Sequence, residues 1–327
     1  MRCIKTNVIW VIAVGFLIVH TAYAGKDITV SVKEGTLHGT LEIPSGAAPC
    51  PAVVIIAGSG PTDRDGNTKM LAGKNNSLKL LAESLASHGI ASVRYDKRGV
   101  GESAQAMTKE EDLRLETYID DAVLWGKKLK EDRRFTHVAI VGHSEGSLIG
   151  MVACRKLGGS AFVSIAGLGI PASQNLLIQL KPKMPERLFD KVKSMVDQLN
   201  QGKTVSPVPP ALHVQFRESV QPYLISWYRY DPAKEVAKLQ VPVLIIHGST
   251  DIQISIDNAK TLAKFNKQAK RITIDGMNHV LKEVSGNLQE QIPSYGDPSL
   301  PLAKGLVEEI TTFVMSAGKF QPNKPLQ

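Results

Sequence analysis

The chain has 327 residues, of which 43% are hydrophobic, and it carries a formal charge of +8. This length is enough for one large domain or two small ones, and the composition is sufficient for a sizeable buried core. The positive charge is scattered, as at Lys127-Lys128, and forms no basic stripe interleaved with aromatic residues, so nucleic acid is not an expected partner.

The first 24 residues have the pattern of a secretory signal peptide. Arg2 and Lys5 are positive, 7–19 is mostly apolar, and Ala22-Tyr23-Ala24 is a small-x-small cleavage signal. A retained membrane anchor is the less favoured alternative, because the apolar run is shorter than the ~20 residues that a spanning helix needs. We therefore expect cleavage after Ala24, a periplasmic or secreted protein without a stable membrane anchor, and a charge of +6 once Arg2 and Lys5 are lost.

Apolar, β-rich runs alternate with helical patterns along the rest of the chain. Expected strands cover 28–32, 37–43, 51–57, 90–95, 137–141, 161–165, 241–246 and 271–274. Expected helices cover 78–88, 117–129, 148–156 and 302–314. This alternation predicts an α/β fold, with a mostly parallel central sheet that is flanked by helices.

One block between Ala172 and Lys238 interrupts the alternation. Its pattern is helical, as at 188–199, and a proline-rich break at 206–210 divides it. We interpret this block as a helical cap, inserted over the C-terminal ends of the strands. The predicted organisation is a signal peptide over 1–24 and one domain over 25–327, with the cap at about 172–238.

The segment Gly142-His143-Ser144-Glu145-Gly146 fits the pattern G-x-S-x-G and lies between an expected strand and an expected helix. In this pattern the serine occupies a strained turn, and only small residues at the glycine positions let the strand and the helix pass closely. The turn lifts the serine hydroxyl above the sheet, at the positive end of the helix. We predict that Ser144 is a nucleophile rather than an ordinary turn serine.

A serine nucleophile needs a base and an acid, which follow it in the order Asp, His in chains of this kind. Asp251 follows one expected strand in HGSTD, and His279 follows another in DGMNH. We predict that His279 accepts the Ser144 proton and that Asp251 holds the imidazole tautomer. Asp257 is a weaker rival for the acid.

Acyl transfer also needs backbone donors for the developing oxyanion. We assign these donors to the N–H groups of Ser59, in the Gly-rich turn after the third strand, and of Glu145. Candidate pocket residues are His143, Trp227 and Tyr228. Packing of the cap on the core is the alternative role of its aromatic residues.

Four motifs resemble the α/β-hydrolase superfamily: AGSGPTDRDGN (57–67), RYDKRGVGES (94–103), GHSEG (142–146) and HGSTD…GMNH (247–279). More narrowly, GSGPTDRDGN and YDPAKEVAKLQVPVLIIHGSTD resemble bacterial exported hydrolases near the serine-aminopeptidase-like and dienelactone-hydrolase-like groups, which are mostly carboxylesterases. The resemblance implies that Asp96 and Arg98 order the loop after the fourth strand, and that Asp63 to Asp65 act similarly near the site. One departure is Ala57, which stands where many lipases have a histidine.

The third strand and the strand before Ser144 are neighbours in this fold. Cys50 precedes the third strand, which rises roughly 20 Å to the catalytic edge. Cys154 lies about 15 Å down the helix that follows Ser144. Both thiols are thus expected low on adjacent elements, and a Cys50–Cys154 disulfide is our hypothesis.

These features predict a carboxylic ester hydrolase that forms an acyl-enzyme with a small-molecule ester. An exopeptidase or an acyltransferase with the same site is the first alternative, and a non-catalytic binding module is the second. Acids in the cap that bind a free amine would favour the exopeptidase, and Glu186, Asp190 and Glu218 are available. No cofactor or metal is implied, because Asp63, Asp65 and Asn67 lack the glycine and glutamate that a calcium loop needs at later positions.

Overall fold

The computed structural model describes residues 25–46, 49–69, 72–107 and 109–318. The predicted signal peptide therefore lies outside the described residues. One eight-stranded sheet runs through the molecule. Its strands are β1 (Lys26–Val32), β2 (Gly35–Glu42), β3 (Cys50–Ile56), β4 (Ala91–Tyr95), β5 (Phe135–His143), β6 (Phe162–Ile165), β7 (Val243–Gly248) and β8 (Lys270–Ile274).

The strands lie in the order β1-β2-β4-β3-β5-β6-β7-β8. The hairpin β1–β2 and the pair β2–β4 are antiparallel, whereas every pair from β4 to β8 is parallel. The carboxyl ends of β3, β5, β7 and β8 therefore meet at one edge of the sheet, which is where ligands bind in open α/β sheets. The predicted fold class is confirmed.

Eleven α-helices lie in the described part of the chain. They are α1 (Ser77–Ser87), α2 (Leu115–Lys130), α3 (Glu145–Leu157), α4 (Ala172–Leu180), α5 (Glu186–Asn200), α6 (His213–Phe216), α7 (Gln221–Tyr228), α8 (Pro232–Ala237), α9 (Asp257–Phe265), α10 (Leu288–Ser294) and α11 (Leu306–Ala317). None of these helices is long and apolar enough to cross a membrane.

The sheet has a hydrophobic core on each face, because successive side chains of a strand point to opposite sides. In β3, Val54 and Ile56 belong to the core with α2, α3 and the cap, whereas Val53 and Ile55 belong to the core with α1 and α11. Every residue of β3 is buried. This explains why the sequence of β3 is a continuous apolar run rather than an alternating one.

Helices α4 to α8 lie between β6 and β7, over the range predicted for the cap. Helix α7 is fixed to the start of α2, where the Leu115 N–H donates to Ser226 Oγ at 2.8 Å. The Arg217 guanidinium forms an ion pair with Glu110, which lies just before α2. The cap is therefore attached to the sheet-bearing part by polar contacts as well as by its buried apolar residues.

The predicted disulfide is not formed, since Cys50 and Cys154 are both free and buried. The Cys50 thiol contacts the backbone of Ala91 in β4, whereas the Cys154 thiol donates to the carbonyl of Ala161, just before β6, at 3.6 Å. Strands β3 and β5 lie between β4 and β6. The two thiols are low on adjacent elements, as expected, but their backbone partners, Ala91 and Ala161, lie beyond opposite edges of the β3–β5 pair.

Two helices, α9 and α10, were not predicted, and the closing helix begins later than the expected position 302. Leu302 instead forms a β-bridge with Lys282. Gly305 then adopts a φ of 86°, a left-handed conformation that glycine tolerates, and α11 starts at the next residue.

Candidate active site

Ser144 lies at the sharp turn between β5 and α3, with φ 56° and ψ −120°. A positive φ is uncommon for a residue that has a Cβ atom, and such strain persists only where the surroundings impose it. The Ser144 N–H donates to the carbonyl of Ile165 in β6 at 2.9 Å, which ties the turn to the neighbouring strand. This is the nucleophile-elbow conformation that the G-x-S-x-G pattern predicts.

The glycines around Ser144 are required by close backbone contacts. A Cβ atom at Gly142 would lie 2.2 Å from the Gly146 carbonyl oxygen, and one at Gly146 would lie 2.4 Å from that of Ile56. A Cβ atom at Gly58 would lie 3.2 Å from the Ser144 Cβ, so the loop after β3 passes directly beside the serine. The elbow therefore accepts no larger residue at 142 or 146.

Asp251 and His279 come together at the ends of β7 and β8. His279 Nδ1 lies 2.8 Å from Asp251 Oδ2, and the two side chains are only 6% and 1% exposed. Because a carboxylate accepts and the ring nitrogen donates, this contact leaves Nε2 of the neutral imidazole as the acceptor. The rival acid Asp257 is instead exposed at the start of α9, where it pairs with Lys260.

The Asp251 carboxylate is held in its ionised form. Burial alone would raise its pKa, but the charge of His279 and its hydrogen bond, together with a bond from the Ile254 N–H, lower the pKa below its ordinary value. The other Asp251 oxygen, Oδ1, accepts from the N–H groups of Gln253 at 2.8 Å and Ile254 at 2.9 Å. An ionised, well-bonded carboxylate suits the role of orienting a histidine.

His143 and His247 are buried beside this pair. The His143 ring lies 5.0 Å from that of His279, and its Nε2–H donates to the His279 carbonyl at 2.8 Å. Burial lowers the pKa of His143 to about 3. His247 donates from Nε2 to the Ile254 carbonyl at 2.8 Å, and burial lowers its pKa too. His143, predicted as a pocket residue, therefore contacts His279, and it is not among the residues that border the cavity above Ser144.

A cavity of about 490 Å³ opens above Ser144. This volume is typical of a small-molecule site. The predicted residues Ser59, Ser144, Glu145, Trp227 and Tyr228 all border it. The cap contributes most of its apolar wall, through Ala172, Leu176, Val214, Val220 and Leu224, and Leu168 borders it just before the cap.

Glu145 has charged and polar partners that the sequence did not predict. Its Oε2 lies 3.4 Å from Lys97 Nζ, and its Oε1 accepts from the hydroxyl of Tyr223 at 2.6 Å. Lys97 Nζ also donates to the carbonyl of Gly58 at 2.6 Å. The pattern had flagged Glu145 only for its backbone N–H, because nothing in the sequence places Lys97 and Tyr223 next to it.

The structural roles implied for the acidic and basic loop residues agree with their contacts. Arg64 Nη2 donates to Asp96 Oδ2 at 2.7 Å. Arg98 binds both oxygens of Asp121 at 2.8 Å. Asp63 Oδ1 accepts from the Asn67 N–H at 2.9 Å, which closes a turn.

Within the described ranges, no group of three or more His, Cys, Asp or Glu is arranged to hold a metal ion.

Comparison with known sequences and structures agrees with this architecture. The family described as "Serine aminopeptidase, S33" matches residues 72–209. The esterase EstD of Thermotoga maritima is 29% identical over 263 residues, which are 80% of this chain and 60% of EstD. The chain thus spans about three fifths of the length of that relative.

Two solved structures share the fold over almost the whole chain. Est1E from Butyrivibrio proteoclasticus, solved with ferulic acid bound, has a TM-score of 0.56 at 18% identity and covers 88% of this chain and 96% of its own. The α/β hydrolase GrgF from Penicillium sp. sh18 has a TM-score of 0.56 at 17% identity and covers 91% of this chain and 100% of its own. The sheet order, the elbow and these likenesses show that the chain has the α/β-hydrolase fold.

Proposed function

We propose that the protein is a carboxylic ester hydrolase in which Ser144, His279 and Asp251 form a catalytic triad. The observations that carry the proposal are the 2.8 Å contact between His279 Nδ1 and Asp251 Oδ2 and the strained elbow at Ser144. The contact leaves the basic Nε2 of the imidazole free to accept the serine proton.

The reaction begins when Ser144 Oγ attacks the ester carbonyl and its proton passes to His279 Nε2. The tetrahedral oxyanion accepts hydrogen bonds from the N–H groups of Ser59 and Glu145. The alcohol then leaves with the proton from His279, and the acyl group remains on Ser144. Water, deprotonated by His279, releases the acid by the same steps in reverse order.

The cavity supports an ester rather than a peptide with a free amino terminus. Such a peptide requires an unpaired carboxylate to bind its ammonium group. Glu145 is the one acid that borders the cavity among the described residues, and Lys97 and Tyr223 already engage it. The cap acids Glu186, Asp190 and Glu218 are exposed and do not border the cavity. The name of the relative EstD, an esterase, also supports this choice.

The test is hydrolysis of p-nitrophenyl esters from acetate to palmitate by the mature protein and by Ser144→Ala. We expect the variant to lose at least ~10³-fold in kcat, which is the scale for loss of a triad member. If the wild type cleaves no ester but cleaves aminoacyl anilides, the exopeptidase replaces the esterase. If Ser144→Ala keeps full activity, Ser144 is not the nucleophile.

Export remains part of the proposal and rests on the pattern of residues 1–24. Expression of the full chain in a bacterium, followed by fractionation, separates cytoplasm, periplasm and medium. We expect a mature form that begins at Gly25 outside the cytoplasm. A cytoplasmic chain that retains Met1 would contradict export.

A further inference from the structure

We propose that Lys97 strengthens both donors of the oxyanion hole, one through the Gly58–Ser59 peptide and the other through the carboxylate of Glu145. Lys97 is then a positioning residue that does not touch the substrate. The inference rests on the proposed ester hydrolysis, because it assigns a role within that reaction.

The first link runs through one peptide group. Lys97 Nζ donates to the Gly58 carbonyl at 2.6 Å. That carbonyl belongs to the same peptide unit as the N–H of Ser59. A hydrogen bond from a cation to a peptide oxygen polarises the unit and makes its N–H a stronger donor. The loop is also fixed in place, because Ser59 accepts at its own carbonyl from Thr62 Oγ1 at 2.8 Å.

The second link is electrostatic. Glu145 carries a carboxylate next to the backbone N–H that is to stabilise an oxyanion, and a negative charge at that position opposes the developing charge. Lys97 Nζ, 3.4 Å from Oε2, offsets it, and both side chains are only 2% exposed. Charges interact more strongly there than in water, because little solvent screens them. The first turn of α3 also favours the carboxylate.

Tyr223 extends this arrangement into the cap. Its hydroxyl donates to Glu145 Oε1 at 2.6 Å, and its ring packs edge-on against Tyr118, with centroids 5.6 Å apart. Lys97 Nζ lies 5.4 Å from the Tyr118 ring centroid. A rotation of the Glu145 carboxylate toward the oxyanion would break the bond to Tyr223, so the cap helps to keep this charge turned toward Lys97.

The experiment is a double-mutant cycle with Lys97→Met, Glu145→Gln and the double variant, assayed on the best p-nitrophenyl ester. Titration with a fluorophosphonate, which reacts with an activated serine, measures the concentration of active sites. Thermal melting checks that each variant is folded. Lys156→Met is the control, because Lys156 lies on α3 and forms an exposed ion pair with Asp120. We expect the control to keep its kcat, since exposed pairs contribute little.

Lys97→Met should lower kcat by about tenfold to thirtyfold per titrated site, with KM within about threefold of wild type. The kcat of the double variant should exceed that of Lys97→Met by at least about fivefold, because Glu145→Gln removes the carboxylate that Lys97 no longer offsets. A purely structural ion pair predicts that loss of both partners restores the melting temperature but not the kcat per titrated site. A double variant with kcat equal to or below that of Lys97→Met would therefore overturn the inference.

Glu145→Gln gives an independent reading if Lys97→Met does not fold. Its amide oxygen still accepts from Tyr223, and Lys97 still binds the Gly58 carbonyl. We expect kcat to rise about twofold to fivefold, and an unchanged or lower kcat contradicts the proposal. A wild type that neither reacts with the titrant nor cleaves esters refutes the proposed function itself, which this cycle distinguishes from failure of the Lys97 role alone.

Discussion

The backbone carbonyl of His279 accepts a hydrogen bond from Nε2 of His143 at 2.8 Å. The residue just before the nucleophile therefore holds the backbone of the proposed base. Because burial lowers the pKa of His143 to about 3, its ring is neutral at working pH and would not repel an imidazolium on His279 in the proposed reaction.

His143→Phe should lower kcat by about tenfold, because it fills the ring volume but removes the donor to His279. His143→Gln, which retains an N–H donor, should lose less. Steady-state kinetics on one ester compares the two. Equal losses would show that shape, and not the hydrogen bond, is what His143 provides.

Gly146→Ala should destabilise the protein by about 3 kcal/mol or more, or prevent folding. The added Cβ would meet the carbonyl oxygens of Ile56 and Ala57 at 2.4 and 2.6 Å, and backbone atoms cannot move aside as a flexible side chain does. Gly286→Ala is the matched control, since nothing lies within 4 Å of a Cβ there. Urea denaturation measures both, and similar stability of the two variants would contradict the steric account.

The cap wall should set the preferred acyl length. Leu224→Trp narrows the 490 Å³ cavity, and Trp227→Ala widens it. We expect the best p-nitrophenyl ester to become shorter in the first variant and longer in the second, while kcat for acetate changes by less than about threefold. If both variants keep the wild-type optimum, the acyl group does not lie against this wall.

Lys282 should make the stability of the protein depend on alkaline pH. Burial lowers the pKa of its ammonium group from 10.5 to about 8, although the group donates to the Leu300 carbonyl. Between these two values the unfolded chain binds a proton that the folded chain does not, so the free energy of unfolding rises with pH.

Urea denaturation at pH 7.5, 8.5 and 9.5 should show this rise in the wild type and a flatter profile in Lys282→Met. Lys260→Met, which removes an exposed lysine, should keep the wild-type slope. Parallel profiles for wild type and Lys282→Met would contradict the linkage.

Much of this architecture was predictable because it rests on local rules. The period and length of the apolar runs predicted the sheet, and the close contacts at Gly142 and Gly146 are what the motif spacing requires. Asp251 and His279 were predictable because parallel strands end at one edge. Helix α10 was missed, although Asn287 caps it by accepting from the Gln289 N–H at 2.9 Å, because Pro293 lies within it.

The remaining features depend on side-chain direction across distant segments. Lys97, Glu145 and Tyr223 are far apart in sequence, and only the packed fold shows that they meet. The disulfide hypothesis was wrong for the same reason. The distances of Cys50 and Cys154 from the catalytic edge of the sheet followed from strand and helix geometry. The neighbouring backbone that each thiol contacts did not.

The chain leaves the sheet after β6 and rejoins it at β7, its immediate neighbour, with Phe162 paired to Val243. The proposed nucleophile, acid and base follow β5, β7 and β8, so the register that positions them is independent of the length of the intervening segment. Changes in residues 172–238 that keep the Tyr223 hydroxyl can therefore alter which molecules are accepted without moving Ser144, Asp251 or His279. The segment that forms most of the cavity wall can thus vary, by natural selection or by design, while the strands that carry Ser144, Asp251 and His279 stay the same.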